Sequence, residues 1–228
     1  LEIKESVAEI RFNRPESLNA VNVGLAHDFL AAVEKTIATA GVNVIVLSGK
    51  GRAFMAGGDL AGFRSAGEQA PEVAKDLIAP LHKAVIKLTQ APQVVVAKLQ
   101  GAVAGAGMSF AMAADLAIAA DDAVFNLAYM RVANSPDCGG SWSLTQIVGL
   151  RKAMEIALLS ENIDATEALH FGLVNRVVPK EKFEQESLKF VRRLAQSAPL
   201  ALRSTKRLLR ESTLRTLPQQ LDSEEASF

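Results

Sequence analysis

The sequence predicts an α/β fold built on a mainly parallel sheet, and three stretches carry that prediction. Residues 42–48 (VNVIVLS) and 94–99 (VVVAKL) are short, nearly continuous apolar runs, the pattern of strands buried on both faces. A glycine-bearing turn follows each, and helical patterns precede and follow them, so the chain reads as repeated strand–turn–helix units. Residues 101–115 (GAVAGAGMSFAMAAD) then make a glycine turn and a helix that is apolar on every side, hence buried.

The elements follow in order. Residues 1–12 hold one or two strands anchored by Val7, Ile10 and Phe12, and Asn13-Arg14-Pro15 ends them. Asn22 is placed to cap a helix whose Leu25, Phe29, Leu30, Val33 and Ile37 share one face, closed by Gly41. Residues 53–60 (AFMAGGDL) carry a second glycine pair, Gly57-Gly58. Residues 61–70 are small and polar, a mobile loop or a loose helix. Residues 72–89 are helical, and Pro80 is expected to kink or split them. Beyond the buried helix, residues 115–119 and 123–127 read as strands. Residues 141–148 and 152–159 read as helices on either side of Gly149, 165–171 as a short helix and 173–178 as a strand. Residues 183–196 and 200–213 are helical, and a polar run follows. The expected division is an α/β core over residues 1–178 and a helical region over 179–228, which has few apolar anchors and needs a partner surface. Trp142 and the methionines are expected in the core, and His27, His82 and His170 at surface or structural positions.

Composition narrows the function. The 228 residues suit one large domain, and a 49% hydrophobic content supplies a sizeable core. Lys plus Arg equals Asp plus Glu at 25 each, so no broad basic face invites nucleic acid or anionic lipid. The single cysteine, Cys138, excludes an internal disulfide and suits a reducing compartment, so a cytoplasmic location is expected. No apolar run reaches membrane-spanning length. Residues 1–12 read as a strand and not as a signal peptide; the chain starts without Met, so further residues are expected before Leu1. No His/Cys/Asp spacing suits a metal.

The glycine turns are the chemical candidates. A dinucleotide fingerprint from Gly105 would need glycine at 110, where Phe110 stands. A phosphate loop ending at Gly49-Lys50 would need glycine at 44 and Ser or Thr at 51, where Val44 and Gly51 stand. Glycine alone leaves two readings open: turns that serve packing only, or two backbone N–H groups that converge on an oxyanion formed during reaction.

Residues 13–21 (NRPESLNAV), 45–60 (IVLSGKGRAFMAGGDL) and 101–115, in that order, resemble the crotonase (enoyl-CoA hydratase/isomerase) superfamily. The resemblance runs from about residue 7 to 178 and more loosely onward. It implies a spiral ββα core, an acyl-CoA thioester substrate with no permanently bound cofactor, and a homotrimer or dimer of trimers. It also implies that the chain stops a helix short of a typical member. It carries the oxyanion hole onto the N–H groups of Gly58 and Ala106. The CoA and substrate channel falls on Ser17, Leu18, Ala20, Ala56, Asp59, Leu60, Gly105, Ser109 and Tyr129.

Where the sequence departs from the family, it points to a reaction. Hydratases of the family use two glutamates, and those positions here hold Ser109 and Tyr129, neither a carboxylate base. One carboxylate remains: Asp137 in Ser135-Pro-Asp-Cys-Gly-Gly140. By residue type it could cap a helix starting at Gly139. By resemblance it matches the isomerase branch, which acts on 3-enoyl-CoA or on the ring epoxide of phenylacetyl-CoA with a single acid/base. The alternatives are a hydratase of low efficiency, a non-catalytic acyl-CoA binder, and a nucleophilic Asp as in the related aroyl-CoA dehalogenases. The last needs an aromatic partner and a histidine that the sequence does not place.

Overall fold

The computed structural model describes residues 1–228. A six-stranded sheet runs β1 (Glu2–Lys4), β2 (Val7–Phe12), β3 (Val44–Gly49), β4 (Val94–Leu99), β6 (Leu116–Ala120) and β9 (Arg176–Val178), in that spatial order. All its pairs are parallel except the β1–β2 hairpin. A second, three-stranded sheet joins β5 (Ala102–Ala104), β7 (Val124–Asn126) and β8 (Ile163–Asp164).

The central strands are buried on both faces, as their apolar runs require. Ile45, Leu47, Val95 and Ala97 face the main core, while Val44, Val46, Val94 and Val96 meet Val191 of the C-terminal helices. On the core side lie α1 (Val23–Ala38), α3 (Ala70–Gln90) and α4 (Ala106–Ala113). Asn22 caps α1 by accepting the Leu25 N–H at 2.9 Å. All eight residues of α4 are buried. An aromatic cluster of Phe12, Phe29, Phe54 and Phe110, mostly in edge-to-face and tilted contacts, ties β2, α1 and α4 together.

Several expectations are corrected. α3 runs unbroken through the buried Pro80. The proline removes one bond to the Asp76 carbonyl, but Asp76 is exposed and water can take that place. Of the two readings left open for residues 61–70, the helical one holds: α2 (Leu60–Ala66) is a short helix. Trp142 is 55% exposed, and Met130 and Met154 are exposed too. Trp142 lies on the outward side of α5 (Gly140–Leu159), next to the buried Ser143 and Leu144. α5 does break at Gly149, whose φ of 75° and ψ of 159° are not helical. α6 (Ala165–His170) begins with a capping box between Asp164 and Glu167. The polar tail adds a helix, α9 (Leu217–Glu225), after α7 (Phe183–Ala195) and α8 (Pro199–Ser212).

An ionic tether fastens α8. Asp115, at the end of α4, accepts from Lys206 Nζ at 2.8 Å, from Arg210 Nη2 at 2.8 Å and from the Val95 N–H at 2.8 Å. The buried Lys206 also donates to the carbonyls of Gln93 at 2.8 Å and Leu88 at 3.1 Å. All three of its protons are matched by acceptors, the condition for burying an ammonium group. Burial lowers the Lys206 pKa, and Asp115 opposes that shift. No helix is long and apolar enough to cross a membrane.

Candidate active site

The two glycine turns meet in space. Met55 bridges to Val103, and Val21 bridges to Gly58. Gly57 (φ 102°) and Gly105 (φ 52°) occupy backbone regions that favour glycine. They also crowd one another: a Cβ on Gly105 would stand 3.3 Å from the Gly57 Cα. A Cβ on Gly107 would lie 2.5 Å from the Met55 carbonyl oxygen, so α4 must be bare there to approach the first turn.

A cavity of about 390 Å³ opens where the turns meet. Ala56, Gly57 and Gly58 from one turn and Gly105 and Ala106 from the other form its floor. Ala70, Ala74, Leu77 and Ile78 of α3, with Leu60 and Phe63 of α2, make an apolar wall. Tyr129, Val132, Asn134 and Asp137 close the other side, and Asp137 is the only carboxylate among the lining residues. The Gly58 N–H donates to no backbone carbonyl. Ala106 is the first residue of α4, where an N–H has no partner within the helix, and it donates to none outside.

Asp137 does not cap α5; Gly139 occupies that position without a side-chain bond. Its carboxylate instead accepts the Tyr129 O–H. Ser109, fully buried on α4, donates to the Asp137 carbonyl at 3.1 Å and lies 3.3 Å from the Tyr129 oxygen. Burial first, then the Asp137 carboxylate, push the Tyr129 phenol well above its ordinary pKa, so it stays protonated. The same two causes raise the Cys138 thiol, which is buried and uncharged. No group of three His, Cys, Asp or Glu side chains is gathered as a metal site.

Of the residues named from the sequence, Gly58, Ala106, Ala56, Leu60, Gly105, Tyr129 and Asp137 line this cavity. Ser17, Leu18, Ala20, Asp59 and Ser109 do not. Leu18 supports the floor by accepting the Ala56 N–H at 3.0 Å. Asp59 caps α2 and pairs with Arg14 at 3.0 Å, and Arg14 also holds the Ala20 carbonyl. Sequence reasoning gave no role to Arg14 or Asn19, and it set His82 at a surface or structural position, where the residue is indeed exposed. Asn19 is fully buried, and its amide reaches the carbonyls of Lys50, Ala53 and Phe54. The His82 Nε2 accepts the Cys138 N–H at 3.3 Å. The i,i+4 row Ala70, Ala74, Ile78, His82 would have put it on the cavity side.

The sequence profile of the family described as Enoyl-CoA hydratase/isomerase matches residues 2–228. A probable enoyl-CoA hydratase of Rhodobacter capsulatus is 37% identical over 220 residues, 96% of this chain and 84% of that protein. The 1,2-epoxyphenylacetyl-CoA isomerase of Escherichia coli is 30% identical over 224 residues, covering 97% and 85%. The crystal structure of an enoyl-CoA hydratase from Polaromonas sp. JS666 superposes with a TM-score of 0.93 at 34% identity, covering 100% of this chain and 88% of that one. With the fold, the paired glycine turns and these likenesses in agreement, the chain belongs to the enoyl-CoA hydratase/isomerase family.

Proposed function

We propose that the protein is an acyl-CoA isomerase that uses Asp137 as a single acid/base. One observation carries this: a lone carboxylate shares an apolar cavity with two unengaged backbone N–H groups, while Ser109 and Tyr129 supply no second carboxylate. The Gly58 and Ala106 amides hold the thioester oxygen. Asp137 takes the α-proton of a 3-enoyl thioester, and the electron pair moves onto that oxygen as an enolate. Donors aimed at the charge where it forms lower this barrier, each by about 3 kcal/mol. The protonated Asp137 returns its proton at the γ-carbon, leaving the 2-enoyl product with no net change in atoms. An aromatic ring epoxide is the second substrate class, and the isomerase from Escherichia coli supports it by its name.

Hydration is the competing reading, and the name of the relative from Rhodobacter capsulatus favours it; here it would require Asp137 alone to activate water. The nucleophilic reading gains from His82 and Tyr129 both standing at the Asp137 turn. Binding without turnover is the remaining reading. The exposed Leu200, Leu209, Leu214 and Leu217 support residues 179–228 as the surface of a trimer or dimer of trimers, testable by analytical ultracentrifugation.

The deciding experiment supplies 3-enoyl-CoA, 2-enoyl-CoA and a chloro-aroyl-CoA to the wild type and to Asp137→Asn, in heavy water. Isomerisation of the first with deuterium uptake, lost in the variant, is the expected result. Faster hydration of the second, or chloride release from the third, would replace this reading.

A further inference from the structure

We propose that His82 is a positioning residue that sets the direction of the Asp137 side chain by pinning the peptide plane between Asp137 and Cys138. This rests on the acid/base reading of Asp137 given above. The two ends of that peptide are held from opposite sides. Its carbonyl accepts from Ser109 Oγ at 3.1 Å and from the Gly140 N–H at 2.8 Å. Its N–H, that of Cys138, donates to His82 Nε2 at 3.3 Å and to no backbone carbonyl. A peptide plane held at both ends keeps the Asp137 Cα in place and restrains rotation about its Cα–C bond, and the Tyr129 O–H holds the carboxylate that extends from it.

The turn depends on that acceptor. Cys138 (φ 51°) and Gly139 (φ 75°) are consecutive left-handed residues, so the chain reverses between Asp137 and α5. Cys138 is 0% exposed. A backbone N–H at such a residue is costly to leave without a partner. His82 is the next member of the α3 row whose Ala70, Ala74 and Ile78 line the cavity. Residues four apart stack on one helix face, so α3 carries the imidazole to where the Asp137 turn packs.

The test compares His82→Leu, which removes the acceptor, with His82→Gln, which keeps an amide oxygen of similar reach. With 3-enoyl-CoA, His82→Leu should lower kcat by about 10- to 100-fold at nearly unchanged KM, the cost of a misaligned reacting group. His82→Gln should restore most of kcat. Independently of turnover, amide hydrogen exchange at residues 137–140 should accelerate in His82→Leu and not in His82→Gln. Unchanged exchange in His82→Leu overturns the tether. Accelerated exchange with an unaltered kcat, or a rise in KM alone, overturns the positioning role. A wild type that turns over no enoyl-CoA while exchange still accelerates would instead defeat the acid/base reading, and the positioning role with it.

Discussion

Asp115→Ala should unfold the protein far more easily than an average substitution. In the native structure the Asp115 carboxylate compensates Lys206 and Arg210 and accepts the Val95 N–H. The Lys206 side chain is 6% exposed, so it cannot turn to water when its partner goes. Removing one member of a buried pair costs about 3–5 kcal/mol. For a domain of this size that is a fall of roughly 6–20 °C in Tm, at about 2–4 °C per kcal/mol. Urea and thermal unfolding measure it. The physical cause is the stranded charge, so replacing both partners, Asp115→Leu with Lys206→Met, should cost much less than Asp115→Ala alone. The pH dependence has a definite sign. The native Lys206 pKa lies below its ordinary value of 10.5 because of burial, so between the two values the unfolded chain binds more protons and stability rises with pH. Without Asp115 the native pKa falls further, and the deficit of Asp115→Ala should shrink as pH rises through that window. A loss under about 1 kcal/mol, typical of exposed pairs, or a double variant as unstable as the single one, would refute the reasoning.

Other outcomes follow from the same geometry. Asn19→Ala should destabilise by at least about 2 kcal/mol, since it strips a partner from three carbonyls around the first glycine turn; urea midpoints report it. Tyr129 is the only tyrosine, and its phenol is pushed above the ordinary value of 10, chiefly by burial. Ultraviolet titration should therefore show no phenolate at pH 10 in native protein, with the band appearing at unfolding. The Asp59 carboxyl is held below its ordinary value by the Gly62 N–H and then by Arg14. Its stabilisation is present above about pH 4 and disappears as pH falls through the lowered native value, so Asp59→Asn should lower Tm at neutral pH and not in strong acid.

Much of this was legible in the chain, for physical reasons that differ by element. β4 was readable to the residue because its apolar run is bounded by Pro92 and Gly101. β5 and β8 were not: they are three and two residues long, too short for any period, and their partners are distant in sequence. Pro80 does not split α3, where the one carbonyl it frees is on the exposed Asp76 and can bond to water. Trp142 misled because residue type was read without helical phase. Gly57 and Gly105 announced a crowded backbone, but only coordinates could bring them together. Helical phase could have set His82 in the row of Ala74 and Ile78, but its partner is a main-chain N–H 56 positions away, which leaves no mark in residue type.

The unengaged donors on the cavity floor belong to the main chain, so exchanging one side chain for another deletes neither. Ala106 nevertheless offers a way in. It opens α4, and the opening residue of a helix is where an imino acid fits best, its ring satisfying the required φ and its nitrogen having no bond to forfeit. Ala106→Pro would thus take one donor from the cavity, setting the ring's Cδ where the N–H had been, while leaving the surrounding helix its own bonding.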